Sequence, residues 1–138
     1  MEAKQTEAPK SQPKVQSLGA RFLSGFAYAF AGIGYCFRMQ ANFRVHISIS
    51  IVAIILGVLL GMSWVEWALL ATMITLVLAA EMVNTMVESL VDLVMPEYHP
   101  LAKIAKDVSA GVVLVTAMGA AVVGILLFLP KLWVFLHL

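Results

Sequence analysis

The chain has 138 residues, of which 62% are hydrophobic and only 12% charged, about half the charge fraction usual in a soluble domain. That balance excludes an ordinary soluble enzyme and describes one small integral membrane unit. A net charge of +1 says nothing about nucleic acid, no such partner is expected of a membrane unit, and the lone Cys36 rules out an internal disulfide and reads as a small buried apolar residue.

Residues 1–16 (MEAKQTEAPKSQPKVQ) are polar, contain proline and lack aromatics, which predicts a disordered cytosolic tail. They do not form a signal peptide, because no apolar core follows the early lysines. From residue 17 to about residue 40 the character changes. Phe22, Phe26, Phe30, Ile33 and Phe37 recur at steps of four, four, three and four, an apolar stripe on an amphipathic helix. Such a helix can lie in the membrane interface with its phenylalanines among the acyl chains.

Three hydrophobic segments follow. Nineteen residues separate His46 from Glu66 without a charge, 14 separate Glu66 from Glu81, and 23 separate Asp107 from Lys131. About 20 helical residues cross a bilayer core, so the first and third are spans on length alone. The middle run qualifies when its acidic end is counted with it. Spans are therefore expected at about 45–62, 64–95 and 101–130, all within a single membrane domain covering 17–138. Eight of the nine lysines and arginines fall in the N-terminal region or in the loop after the second span; only Lys131 falls at the other end. By the positive-inside rule the N-terminus and the 95–107 loop are cytoplasmic. Trp64, Trp67 and Trp133 then mark the outer boundary, where an aromatic belt belongs.

The stretch EMVNTMVESLVD, residues 81–92, closes the second span. Glu81, Asn84, Glu88 and Asp92 stand at steps of three, four and four, which places them on one helical face. An ionised acid at mid-bilayer costs about 2.5 to 3.5 kcal/mol on insertion scales, so a stripe of this kind calls for partners. A basic segment is close by. In PEYHPLAKIAKDVSAG, residues 96–111, Pro96 and Pro100 bracket a tight turn, and Lys103, Lys106 and Asp107 occupy the first turns of the third span. Carboxylates on one helix and lysines on the next, meeting at a membrane surface, are the parts needed to hold a metal and phosphates. The chain has no GxxxxGK[ST] loop and no GxSxG elbow, GIGYCF at 32–37 is a poor dinucleotide fingerprint, and His46, His99 and His137 lack metal-ligand spacing.

These motifs, the stripe at 81–92 followed by EYH at 97–99 and AKDVSAG at 105–111, resemble the prokaryotic diacylglycerol kinase and undecaprenol kinase family. The resemblance runs from about Arg21 to Lys131. It implies an all-α integral membrane kinase, with an N-terminal amphipathic surface helix and three transmembrane helices. It also implies a homotrimer with composite sites between protomers and a phosphoryl transfer that uses ATP and Mg²⁺. Position by position, Glu81 matches the general base, on a lipid alcohol at the interface where a partly desolvated carboxylate is a stronger base. Glu88 matches a magnesium ligand that also touches the nucleotide. Lys106 and Asp107 match nucleotide-contacting positions, Glu97, Tyr98 and His99 the turn beside the nucleotide, and Arg21 and Tyr28 further nucleotide contacts. Asn84 matches a supporting asparagine, Arg44 lies near the substrate end, and Asp92 completes the stripe. One departure stands out: four residues before Arg44, in FRMQANFR, the chain has Gln40 where the family typically places a second metal-binding glutamate. A glutamine carbonyl still ligates Mg²⁺ and contacts the nucleotide, but brings no negative charge, so weaker metal affinity or reduced activity is expected.

The wording PEYHPLAK and the tail FLPKLW resemble the Gram-positive branch, whose members phosphorylate undecaprenol, with diacylglycerol as the alternative acceptor. From other classes, a small transporter using a membrane-embedded Glu and a non-catalytic oligomeric partner protein remain open. Against the transporter, Glu81 is placed near the cytosolic edge rather than the midplane, and Lys106 and Asp107 would have no role.

Overall fold

The structure, a computed structural model, describes residues 18–137, so the tail expected at 1–16 lies outside the described residues. Among the described residues all regular structure is helical: α1 (Leu18–Met39), α2 (Ala41–Leu59), α3 (Trp64–Val94) and α4 (Pro100–Leu136). The last three are long and apolar enough to cross a membrane. At about 1.5 Å per residue, the 19 residues of α2 match a hydrocarbon core of about 30 Å, whereas the 31 of α3 and 37 of α4 exceed it. Backbone contacts divide the chain into two units between Gly32 and Ile33, inside α1, and each is taken by itself. In the first, the stripe of α1 is exposed, and the rings of Phe22 and Phe26 meet edge to face with centroids 5.1 Å apart.

The second unit is ordered by its turns. A single extended residue, Gln40, joins α1 to α2, its amide donating to the Cys36 carbonyl at 2.9 Å. Arg44 turns back over this joint, and its Nη1 donates to the carbonyls of Phe37 and Arg38 at 3.2 and 3.0 Å. These are end-of-helix acceptors without intrahelical partners, and a cation is favoured beside them. Cys36 is buried and free. Gly61, with φ of +61°, turns the chain between α2 and α3 in the left-handed region that glycine tolerates. Ser63 then opens α3 with a capping box: the Glu66 amide donates to its hydroxyl, and its own amide donates to the Glu66 carboxylate. Gly57 permits the closest approach, since a Cβ there would sit 2.7 Å from the Met62 sulfur and 2.9 Å from the Trp67 ring.

Central in this unit, α3 packs against both α2 and α4. A small apolar cluster of Met62, Leu70 and Leu127, with Trp67 and Phe128 against it, lies towards the α2–α3 turn. Trp67 therefore points into the protein, while Trp64 and Trp133, assigned with it to an outer belt, are exposed. Beside them Lys131 of α4 pairs with Glu66 at 3.2 Å. Among the described residues no large side chain is completely buried, and apolar residues such as Val52, Leu114 and Leu126 are more than half exposed. A lone protomer in water would not bear that; lipid or a neighbouring apolar surface satisfies it.

Candidate active site

At the other end of α3 the packing turns polar. Glu81, Asn84, Thr85 and, from α4, Ser109 are the buried polar residues among those described. The stripe is graded along the helix: Glu81 is 2% exposed, Asn84 8%, Glu88 half-buried and Asp92 exposed. Each member of it has a specific neighbour. Ser109 donates to the Asn84 amide oxygen at 2.6 Å, and the Asn84 amide nitrogen donates to Glu88 Oε1 at 3.0 Å. The asparagine is thereby fixed in one orientation, holding Glu88 from one side and α4 from the other. Thr85 donates to the Glu81 carbonyl at 2.9 Å, using its hydroxyl within the helix. The Glu81 carboxylate lies against α2, with Oε1 3.3 Å from His46 Nε2. That is ion-pair reach without hydrogen-bond alignment, so Oε1 is a buried acceptor with no hydrogen-bond donor. A buried carboxylate oxygen in that state costs free energy unless a substrate group completes it.

Where α3 meets α4, Lys106 reaches across to Asp92 at 2.5 Å, and Lys103 pairs with Asp107 one turn along α4. The expectation treated Lys106 and Asp107 as a pair of nucleotide contacts; the structure gives each a different protein partner. His99 is the N-cap of α4, its Nδ1 accepting from the Leu101 amide at 3.2 Å, with Pro100 in the first turn. A cleft of about 340 Å³ opens here, lined by Asp92, Glu97, Tyr98, His99, Lys103, Lys106 and Asp107 among others. The turn residues singled out in the sequence thus converge on one concavity that mixes both signs of charge.

Of the expected site residues, Arg44 has other partners: it is engaged with the end of α1 and caps it. Arg21 and Tyr28 belong to the first unit, where both are exposed. Among the described residues no group of three or more His, Cys, Asp or Glu could hold a metal by itself. Gln40, however, makes no side-chain capping bond. Counting from the His46–Glu81 contact, it lies six residues back on α2 and Glu88 seven residues on along antiparallel α3. These are axial offsets of about 9 and 10.5 Å, each along its own helix. A cation held by these two oxygen donors would complete its shell with phosphates and water, as Mg²⁺ does.

Sequence reasoning passed over His46 and Ser109. The first marked the end of an apolar run and lacked metal-ligand spacing, and a serine on an apolar helix carries no signal until the register of α3 against α4 is known.

An all-helical membrane protein with a buried glutamate at one end of a polar stripe, and at the other a carboxylate paired to a lysine beside a cleft of mixed charge, has parts suited to phosphoryl transfer at a membrane surface. Comparison with known proteins agrees. The profile of the prokaryotic diacylglycerol kinase family matches residues 27–128. The undecaprenol kinase of Bacillus subtilis is 39% identical over 112 residues, 81% of this chain and 91% of that protein. The diacylglycerol kinase of Synechocystis is 45% identical over 111 residues, which are 80% of this chain but only 63% of that longer protein. The diacylglycerol kinase of Escherichia coli K12 is 26% identical over 113 residues. The chain belongs to the prokaryotic diacylglycerol kinase family and is a membrane lipid kinase.

Proposed function

We propose that the chain transfers the γ-phosphate of ATP, with Mg²⁺, to the hydroxyl of undecaprenol, at the cytoplasmic face of the cell membrane and as a homotrimer. The observation that carries the chemistry is Glu81: a nearly fully buried carboxylate on the stripe, with one oxygen awaiting a donor. A lipid hydroxyl supplies that donor, and Glu81 takes its proton as the oxygen attacks phosphorus. Glu88, oriented through Asn84 and Ser109, and the amide oxygen of Gln40 would hold the metal. When bound, the metal neutralises charge on the phosphate oxygens. Lys106, part-exposed in its pair with Asp92, turns to the phosphates when the nucleotide enters, while Asp107, Glu97, Tyr98 and His99 line the cleft that receives it. Arg21 and Tyr28 are proposed as further nucleotide contacts on the family resemblance alone. The orientation rests on the distribution of lysine and arginine, and the trimer on the resemblance.

Undecaprenol is preferred as acceptor because the Bacillus relative, named for it, is matched over 91% of its length, the fuller of the two stronger matches. Diacylglycerol is the second reading, favoured by the names of the Synechocystis and Escherichia coli relatives. The test is transfer of labelled γ-phosphate from ATP to each lipid in mixed micelles across a Mg²⁺ series. Faster labelling of undecaprenol, abolished by a chelator, is expected. Preference for diacylglycerol would move the assignment to the second reading, and labelling of neither lipid would overturn both.

A further inference from the structure

A base that has taken a proton must lose it before the next turnover, and Glu81, 2% exposed, has no direct contact with bulk water. Its neighbours leave few routes. The Thr85 hydroxyl donates to a backbone carbonyl, and Asn84 is committed to Glu88 and Ser109. His46 is different: its Nε2 lies 3.3 Å from Glu81 Oε1, and its side chain is 20% exposed against 3% for the glutamate. It is the less buried member of the pair, and imidazole is the side chain that exchanges protons near neutral pH.

We propose that His46 is the proton acceptor behind Glu81, a relay and positioning residue that returns the base to its reactive form after each phosphoryl transfer. The inference rests on Glu81 being the base, as proposed above. In the transfer step the lipid O–H bond breaks, its oxygen bonds to the γ-phosphorus, and the bridging P–O bond breaks with its electron pair leaving on ADP. The proton goes to Glu81 Oε1, then to neutral His46 Nε2, and from the imidazolium to water. The sum is lipid alcohol and ATP giving lipid phosphate, ADP and one proton.

The surroundings isolate the pair. From α3, Glu81 faces His46 directly, and Glu88 stands two turns further on. His46 closes one end of an apolar cleft of about 380 Å³ between α2, α3 and α4, and is the one ionisable residue lining it. There α4 contributes Ala117, Ala120 and Ala121. On α2 itself, Arg44 is turned to the carbonyls of Phe37 and Arg38, and Ser50 donates to the His46 carbonyl. Among the described residues, His46 is the base in direct reach of the Glu81 carboxylate. The 3.3 Å separation lacks hydrogen-bond alignment, as catalytic contacts often do before substrate arrives.

The test compares wild type, His46→Gln, His46→Asn and Glu81→Gln in the full-length protein, with kcat and the KM for ATP measured from pH 5 to 9. Glutamine and asparagine offer an amide donor but cannot accept a proton, which separates relay from mere support. Both substitutions should lower kcat by on the order of 10²-fold, leave the KM for ATP within about twofold, and remove the step in the pH profile that the imidazole contributes. The retained KM reports that the variants are folded. Wild-type kcat in either folded variant would overturn the relay, and so would a wild-type kcat that stays flat across this pH range, which no folding defect can mimic. Loss of activity in Glu81→Gln beside an active His46→Gln would sink the relay alone, whereas an active Glu81→Gln would sink the base assignment beneath it.

Discussion

Asn84 shows how much one side chain can carry in this site. Its two amide ends are used at once, accepting from Ser109 of α4 and donating to Glu88 of its own helix. Substitution by aspartate would keep the acceptor for Ser109 but lose the donor and set a second charge beside Glu88. Asn84→Asp should therefore lower kcat by about 10²-fold, whereas Ser109→Ala, which removes the hydroxyl shared between Asn84 and the Lys106 carbonyl but leaves Asn84 in place, should cost about 1 kcal/mol of stability and only a few-fold in rate. Thermal unfolding in detergent beside the kinase assay separates the two. Gln40 is the other informative position. Free of capping duty, its side chain offers a neutral oxygen where a carboxylate would bind a cation more tightly. Gln40→Glu should lower the Mg²⁺ concentration at half-maximal rate several-fold; an unchanged Mg²⁺ requirement would remove Gln40 from the metal's shell.

Between elements, the two ends of the α3–α4 pair behave differently. The Lys106–Asp92 contact is partly open to solvent on both sides, and such pairs contribute about 0 to 1 kcal/mol to stability. Lys106→Ala should thus leave unfolding nearly unchanged while raising the KM for ATP by on the order of tenfold, since a lysine in the cleft is available to phosphates. At the α2–α3 turn the reverse holds. Gly57→Ala would drive a methyl into Met62 and Trp67, destabilising the fold by about 1 to 3 kcal/mol with the nucleotide KM unaffected. The elements themselves were legible in the sequence: uncharged runs of 19 and 23 residues announce helices α2 and α4, and the steps of three and four place Glu81, Asn84, Glu88 and Asp92 on one face. What stayed hidden depends on register between helices. Whether His46 meets Glu81, or Ser109 meets Asn84, is decided by how far α2 and α4 slide along α3, and no spacing within one helix encodes that. The contacts of Arg44 were hidden for a related reason, because the sharp joint at Gln40 brings it back onto the helix before it.

For the whole molecule, charge and aromatics define two faces. The Lys106 cleft lies at one end of the helices, and Trp64, Trp133 and the Lys131–Glu66 pair lie at the other. In a Cys36→Ala background, a cysteine at Glu97 should be shielded from a membrane-impermeant thiol reagent in intact cells, and one at Trp133 should react. The opposite pattern would reverse the orientation. The many exposed apolar side chains make the membrane part of the fold's stability, so these tests belong in bilayers or mild detergent rather than in denaturing conditions.

The most direct measurement is phosphoryl transfer from labelled ATP to a lipid alcohol by wild type and Glu81→Gln, side by side, at saturating Mg²⁺. Glutamine keeps the size of the side chain and its place against His46 but cannot take a proton. The expected result is a loss in kcat of at least about 10²-fold with the KM for ATP retained. A Glu81→Gln protein that phosphorylates lipid at the wild-type rate would show that the buried carboxylate is not the base, and that the polar stripe of α3 serves some other end.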